Sequence, residues 1–133
     1  MRLSTVFILN ALCNLCFGLA LLFFPGWMMG LFGVSLNAGG GYLARMAGAA
    51  WLGFAALTWL GRAIPEERLR LAVLHSLFVW FATGILTLLY GQLLGITNFL
   101  GWFTILLSAF FLAAYGYFLF RTPTGAQTRS ATG

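Results

Sequence analysis

The chain has 133 residues and is 62% hydrophobic, 17% aromatic and only 7% charged. Soluble domains carry about 25% charged residues, so this chain cannot cover a water-facing surface and its solvent must be lipid. The basic residues are all arginine, the acids are only Glu66 and Glu67, and the net charge is +5. The arginines stand singly between apolar runs, which fits membrane borders and argues against a nucleic-acid partner.

Four apolar runs follow one another, at about residues 4–24, 42–60, 69–90 and 99–120. Each reaches the roughly 20 residues that a helix needs to cross a ~30 Å hydrocarbon layer. Every backbone N–H and C=O must be satisfied within such a segment, so the runs are predicted to be helices. The first is too long for a secretory core and lacks a small-residue cleavage site, so it is expected to be retained. Neither Cys13 nor Cys16 sits in a lipoprotein cleavage box.

Arg2, Arg62, Arg68, Arg70, Arg121 and Arg129 flank the runs, whereas "PGWMMGLFGVSLNAGG" and "GQLLGITN" carry no charge. The positive-inside rule then puts both termini and the loop between spans two and three in the cytoplasm. Pro65 suits a helix start with Glu66 and Glu67 in its first turn. Gly61 and Arg62 suit a helix end, and Pro25 closes the first span. The first outer connection holds Trp27, Met28, Met29, Leu31 and Phe32. It is expected to lie along the outer interface, a short helix over the bundle's outer end being one form it could take. "LLFFPGWMMGLFGV" and "TLLYGQLLGITNFL" are loosely alike, as after duplication of a helical hairpin. The tail, 122–133, is polar and small and is expected to be disordered.

Helical spacing gives each span one polar or small face. Asn10, Asn14 and Gly18 align on the first. Arg45, Ala49, Gly53 and Ala56 align on the second, with Ala44 and Gly48 beside them. Ser76, Trp80, Thr83, Thr87 and Tyr90 align on the third, with His75 adjacent. Gly101, Thr104, Ser108, Phe111 and Tyr115 align on the fourth. Such faces are expected to turn inward, away from lipid. The predicted architecture is an all-α membrane protein, an antiparallel four-helix bundle over residues 1–121 with a moderately polar centre. Asn14, Thr83 and Ser108 fall near the midplane. Arg45, Thr87, Tyr90 and Thr104 fall in the outer half, and Asn10, Ser76, His75 and Tyr115 in the cytoplasmic half.

Arg45 is the one arginine outside the cytoplasmic set, about one turn inside an outer border, and no acid of this chain reaches it. Three partners are open to it: lipid phosphate or loop carbonyls at the border, an anionic ligand at the mouth of a polar pocket, or a carboxylate on another protein. Cys13 and Cys16 have redox-pair spacing. They would lie deep in hydrocarbon, and Phe17 stands where haem attachment needs histidine, so they are read as packing residues. His75 could ligate a haem or chlorophyll metal, or serve as a hydrogen-bonding core or interface residue. Asn10 and Asn14 either bond helix to helix or contact a ligand. No Asp or Glu lies within a span, and there is no acid–base pair, metal cluster or glycine-rich phosphate loop. Catalysis, a metal and a cofactor are therefore not expected.

"YLARMAGAAWLGFAALTWLGR", following "LLFFPGWMMGLFGV", resembles small four-helix bacterial inner-membrane proteins of the DoxX-like group. That resemblance implies the four-helix fold and an association with membrane redox or lipid metabolism. It assigns no functional residue.

Three functions remain. The first is a non-catalytic accessory or scaffold subunit of a larger membrane complex. The second is a binding or transfer protein for an anionic amphiphile such as a lipid, isoprenoid or quinone-like molecule. There Arg45 sits at the outer mouth, and Asn10, Asn14, Thr83, Thr87, Thr104 and Ser108 lie inside. The third is a pigment or haem carrier through His75.

Overall fold

A computed structural model describes residues 2–121, and the tail at 122–133 lies outside the described residues. The described chain forms α1 (Leu3–Phe23), α2 (Pro25–Leu31), α3 (Ala38–Gly61), α4 (Glu67–Leu93) and α5 (Leu100–Arg121). All but α2 are long and apolar enough to cross a membrane. They correspond to the four expected runs, with borders moved by local chemistry.

The start of α3 falls before Tyr42 because Asn37 caps it, its Oδ1 accepting from Gly40 N at 2.7 Å. That bond draws the three glycines into the first turn. Glu66 is the N-cap of α4 and Glu67 its first acidic residue, so Pro65 lies just outside the helix. Pro25 both follows the end of α1 and occupies the first position of α2, where its missing N–H is harmless. The expected apolar segment at the interface is thus a seven-residue helix. Met28 and Phe32 pack with Leu21, while Trp27 and Leu31 face outward.

The two charge-free connections share one device. After α2, Gly33 has φ +78°, its N–H donates to Gly30 O and that of Val34 donates to Met29 O, both at 3.0 Å. After α4, Gly95 has φ +68°, its N–H donates to Gln92 O at 3.1 Å and that of Ile96 donates to Gly91 O at 3.0 Å. Both are Schellman caps, in which a left-handed residue lets two late amides close the last turn. Each is followed within a few residues by an asparagine, Asn37 or Asn98, whose Oδ1 accepts from the start of the next helix. The likeness between "LFGVSLN" and "LLGITN" therefore has a physical basis in a repeated stop-and-restart signal. Asn98 also joins the two connections, its backbone N–H donating to Phe32 O and its Nδ2 to Leu31 O, each at 2.8 Å.

Alanine at position 33 would meet both a left-handed backbone and the Asn98 side chain, 3.3 Å from the added Cβ. Gly33→Ala is expected to cost about 1–2 kcal/mol, read as an earlier unfolding midpoint on titration with sodium dodecyl sulfate.

The helices associate as two pairs, α1 with α3 and α4 with α5. In the first, Gly61 faces Phe7 while Gly48 faces Gly18, Leu21 and Leu22. In the second, Gly101 faces Gln92, Phe81 stacks on Phe111, and Phe78 meets Gly116 and Phe120. Contacts thus run in opposite order along each pair. Val6 and Phe7 of α1, Leu74, Leu77 and Phe81 of α4, and Phe111 and Tyr115 of α5 form the main core.

Two expected faces are turned differently. On α3, Arg45, Ala49, Gly53 and Ala56 are exposed, and Gly48, Ala55 and Thr58 are buried. One residue of displacement turns a helix by about 100°. The reason is steric and electrostatic together. Gly48 permits the closest approach of backbones, and an unpaired guanidinium is costly between helices. On α4, Ser76, Trp80, Thr83, Thr87 and Tyr90 are exposed, and the apolar row Leu74, Leu77, Phe81 is buried. The hydroxyls of Ser76, Thr83 and Thr87 donate to carbonyls one turn back, at 2.9, 2.9 and 3.1 Å. Satisfied within their own helix, they need no inward partner.

A candidate ligand-binding groove

Between the helix pairs lies a cavity of about 320 Å³, near the lower end of the volumes that hold small molecules. From α1 it takes Asn10, Cys13, Asn14 and Phe17, and from α3 Trp51. From α4 it takes Trp80, Phe81, Thr83, Gly84, Thr87 and Leu88, and from α5 Leu107, Ser108 and Phe111. Because Trp80, Thr83 and Thr87 are exposed, the cavity is a groove with an open α4 rim.

Its floor is the aromatic core. Phe81 and Phe111 stack at 5.3 Å and 24°, and Tyr115 lies beneath them at 0% exposure. Asn10 Nδ2 donates to the Tyr115 hydroxyl at 2.7 Å, a bond that ties α1 to α5 across the two pairs. Asn10 is 1% exposed, and its Oδ1 has no hydrogen-bond partner among the described residues. The walls are aromatic, with Phe17 and Trp51 at 5.1 Å and Trp80 against Phe54 at 4.4 Å. The sides of the slot are thus flat rings, with the Asn10 amide buried behind its floor, the general form of a lipophile site.

The groove brings together Asn10, Asn14, Thr83, Thr87 and Ser108. Thr104 and Arg45 are not among its lining residues. The Thr104 hydroxyl donates to Gly101 O at 2.7 Å. Arg45 is exposed, and its Nη1 donates to Gly41 O one turn back at 3.4 Å. His75 is also outside the groove and exposed, with Nδ1 2.8 Å from Leu71 O. Among the described residues no group of three or more His, Cys, Asp or Glu could hold a metal.

Sequence reading does not single out Phe17, Trp51, Gly84 or Leu107 for the groove. In an apolar chain such residues carry no contrast with their neighbours. Gln92, Thr97 and Asn98 are likewise not anticipated. Thr97 donates to Gln92 Oε1 at 2.7 Å, and Gln92 Nε2 donates to Asn98 O at 3.2 Å. Their signal is a glycine followed within four residues by an asparagine, present in both connections.

A second recess, of about 420 Å³, lies between α1 and α3 and is lined by Ala11, Leu12, Leu15, Leu52, Ala55, Ala56 and Trp59. It is larger but has no hydrogen-bonding side chain apart from the Trp59 indole, so it offers little to orient a ligand.

Fold and groove together define a multi-pass membrane protein built as a helix bundle with a polar-floored slot between its helices. The chain belongs to the family described as domain of unknown function (DUF8292), whose model matches residues 1–122. No curated protein and no solved structure matches the chain.

Proposed function

We propose that this protein is a non-catalytic binding protein for a membrane lipophile, which enters the groove from the bilayer along the α4 rim. The observation that carries this reading is a cavity walled by Trp51 and Trp80 and lined by Asn10, Asn14 and Ser108, with the unpartnered Oδ1 of Asn10 buried behind that lining. Arg45 lies outside the groove and takes no part, so the occupant is held by rings and amides rather than by charge.

The setting is a bacterial inner membrane, crossed four times by an antiparallel bundle with both termini in the cytoplasm. The opposite contact order within each helix pair supports that topology, since it gathers Arg2, Arg62, Arg68, Arg70 and Arg121 at one end. Two of these lie over rings, Arg62 3.5 Å from the Trp59 centroid and Arg121 4.6 Å from that of Tyr117. Such pairs suit an interface.

Native mass spectrometry of gently extracted protein tests the proposal. Wild type is expected to retain a lipophile, and Gly84→Trp to lose it. Position 84 lines the groove, and a Cβ there has nothing within 4 Å, so the added ring fills the slot without displacing backbone. Arg45→Ala is expected to retain the lipophile like wild type. Equal retention in wild type and Gly84→Trp would remove the groove from the proposal.

One observation favours a second reading, an accessory subunit of a larger complex. The Arg45, Ala49, Gly53, Ala56 face of α3 is exposed. Small residues let another membrane helix approach closely, and a partner carboxylate could meet the guanidinium. Co-purification of a partner that Gly53→Leu disrupts would support it.

A further inference from the structure

α3 and α5 are the second helices of their pairs, and their C-terminal ends follow one pattern. α3 closes with "LGFAALTWLGR" and α5 with "FFLAAYGYFLFR". In both, a large apolar residue precedes a pair of alanines, an aromatic follows three residues after the pair, and an arginine stands one turn beyond. The structure gives the two ends the same form. Leu52, Ala55, Ala56 and Trp59 line the recess of about 420 Å³ against α1. Phe110, Ala113, Ala114 and Tyr117 line another, of about 290 Å³, on α5. Each recess ends at a ring with a guanidinium above it, Arg62 3.5 Å from the Trp59 centroid and Arg121 4.6 Å from that of Tyr117. Neither arginine pairs with a carboxylate among the described residues.

Leu52 to Trp59, like Phe110 to Tyr117, covers about 10 Å along its helix at ~1.5 Å per residue. That is roughly two-thirds of the ~15 Å that one leaflet contributes to the hydrocarbon layer. The alanines leave room there for an acyl chain, but an apolar trough cannot orient one. The arginine can. Stacked on its ring, a guanidinium keeps its N–H edge free for two phosphate oxygens, and it loses less freedom on pairing than a loose side chain does. Its single positive charge matches a headgroup with one net negative charge, whereas the phosphate of a zwitterionic lipid already has its own ammonium beside it.

We infer that the two recesses are sites for anionic phospholipid of the cytoplasmic leaflet, one molecule in each. The phosphate meets Arg62 or Arg121, and an acyl chain lies along the alanines. This rests on the proposed membrane orientation and not on the central groove. It is also more than the diffuse attraction of a basic surface, since among the described arginines only these two lie over a ring at the end of a recess.

The test uses full-length protein in nanodiscs of equal parts phosphatidylglycerol and phosphatidylcholine, both with palmitoyl and oleoyl chains. Native mass spectrometry counts the lipids kept by the released protein. Wild type is expected to keep up to two phosphatidylglycerols, each about fivefold over phosphatidylcholine. Arg62→Gln is expected to leave one such lipid, and Arg62→Gln with Arg121→Gln none. Ala56→Trp with Ala113→Trp fills both recesses, keeps both charges and is expected to lose the preference as well. Arg68→Gln with Arg70→Gln removes as much charge from outside the recesses and should leave the preference intact. So should Gly84→Trp, which fills the central groove.

Equal retention of the two lipids by wild type, or a preference that survives the Arg62 and Arg121 changes, would overturn the proposal. A preference lost to the Arg68 and Arg70 changes would overturn it in favour of diffuse charge. One lost to Gly84→Trp would overturn it by placing the anionic lipid in the central groove.

Discussion

Replacing Gly48 by leucine is expected to drive α1 and α3 apart and to be the most damaging single change in the transmembrane region. A Cβ at position 48 would lie 2.7 Å from Leu22 N and 2.8 Å from Gly18 O. Both are backbone atoms, so no side chain can turn away to make room. Across the contact, a Cβ on Gly18 would lie 3.1 Å from Gly48 O. The two glycines face each other, and the helices touch through bare backbone. Lipid tails are as apolar as leucine, so helix association in a bilayer draws on such close packing rather than on escape from water. Overpacking costs about 1–3 kcal/mol even where side chains can yield. Here Gly48→Leu is expected to exceed that range, and the variant should unfold at a far lower detergent fraction.

The control is Gly53→Leu on the same helix, whose added Cβ meets nothing within 4 Å. It should be neutral or slightly stabilising, since leucine is the better helix former by about 0.5–1 kcal/mol. Circular dichroism during titration with sodium dodecyl sulfate reads both. Were Gly53→Leu the more damaging of the two, the Arg45 face of α3 would be its inward face, and the packing described above would be wrong.

That pair of variants also marks where sequence patterning stops being informative. On α1 the polar row Asn10, Asn14, Gly18 and the buried row coincide, because an amide cannot satisfy itself within its own helix and must turn to a neighbour. On α5 the expected row holds Gly101, Phe111 and Tyr115, all buried, with Thr104 and Ser108 half-buried. On α4 the rule breaks down, because serine and threonine bond their own helix and polarity no longer points inward. On α3 two rows of small residues lie one position apart, and composition does not separate them. What separates them is the shape of α1 at Gly18, which is a property of the pair. The four spans and their order follow from length and hydropathy alone, whereas a short helix is only one of the forms they allow the apolar connection. The groove does not, because its walls are aromatic residues in a chain with many others.

Tyr115 carries the second large effect, and its two roles separate by substitution. Its ring lies 5.8 Å from Phe7, 5.9 Å from Phe81 and 6.3 Å from Phe111, so it joins the α4–α5 aromatic stack to α1. Its hydroxyl accepts from Asn10 Nδ2 at 2.7 Å, the one side-chain hydrogen bond found between the two helix pairs among the described residues. Tyr115→Ala deletes both and is expected to cost about 3–5 kcal/mol, the usual range for removing a buried aromatic ring. Tyr115→Phe keeps the ring and loses only the acceptor, at about 1–2 kcal/mol, because Asn10 is then left with its whole amide unpaired. Adding Asn10→Leu to Tyr115→Phe removes the stranded amide and should recover part of that loss, so the double variant is expected to be less destabilised than the sum of the single changes. Unfolding midpoints of the four variants, with Asn10→Leu alone as the fourth, give the coupling directly. An equal loss for Tyr115→Phe and Tyr115→Ala would put the entire contribution in the hydrogen bond. The ring stack would then be a bystander, and the Asn10 amide would be the main tie between the helix pairs within the bundle, beside the Asn98 bonds that join the connections.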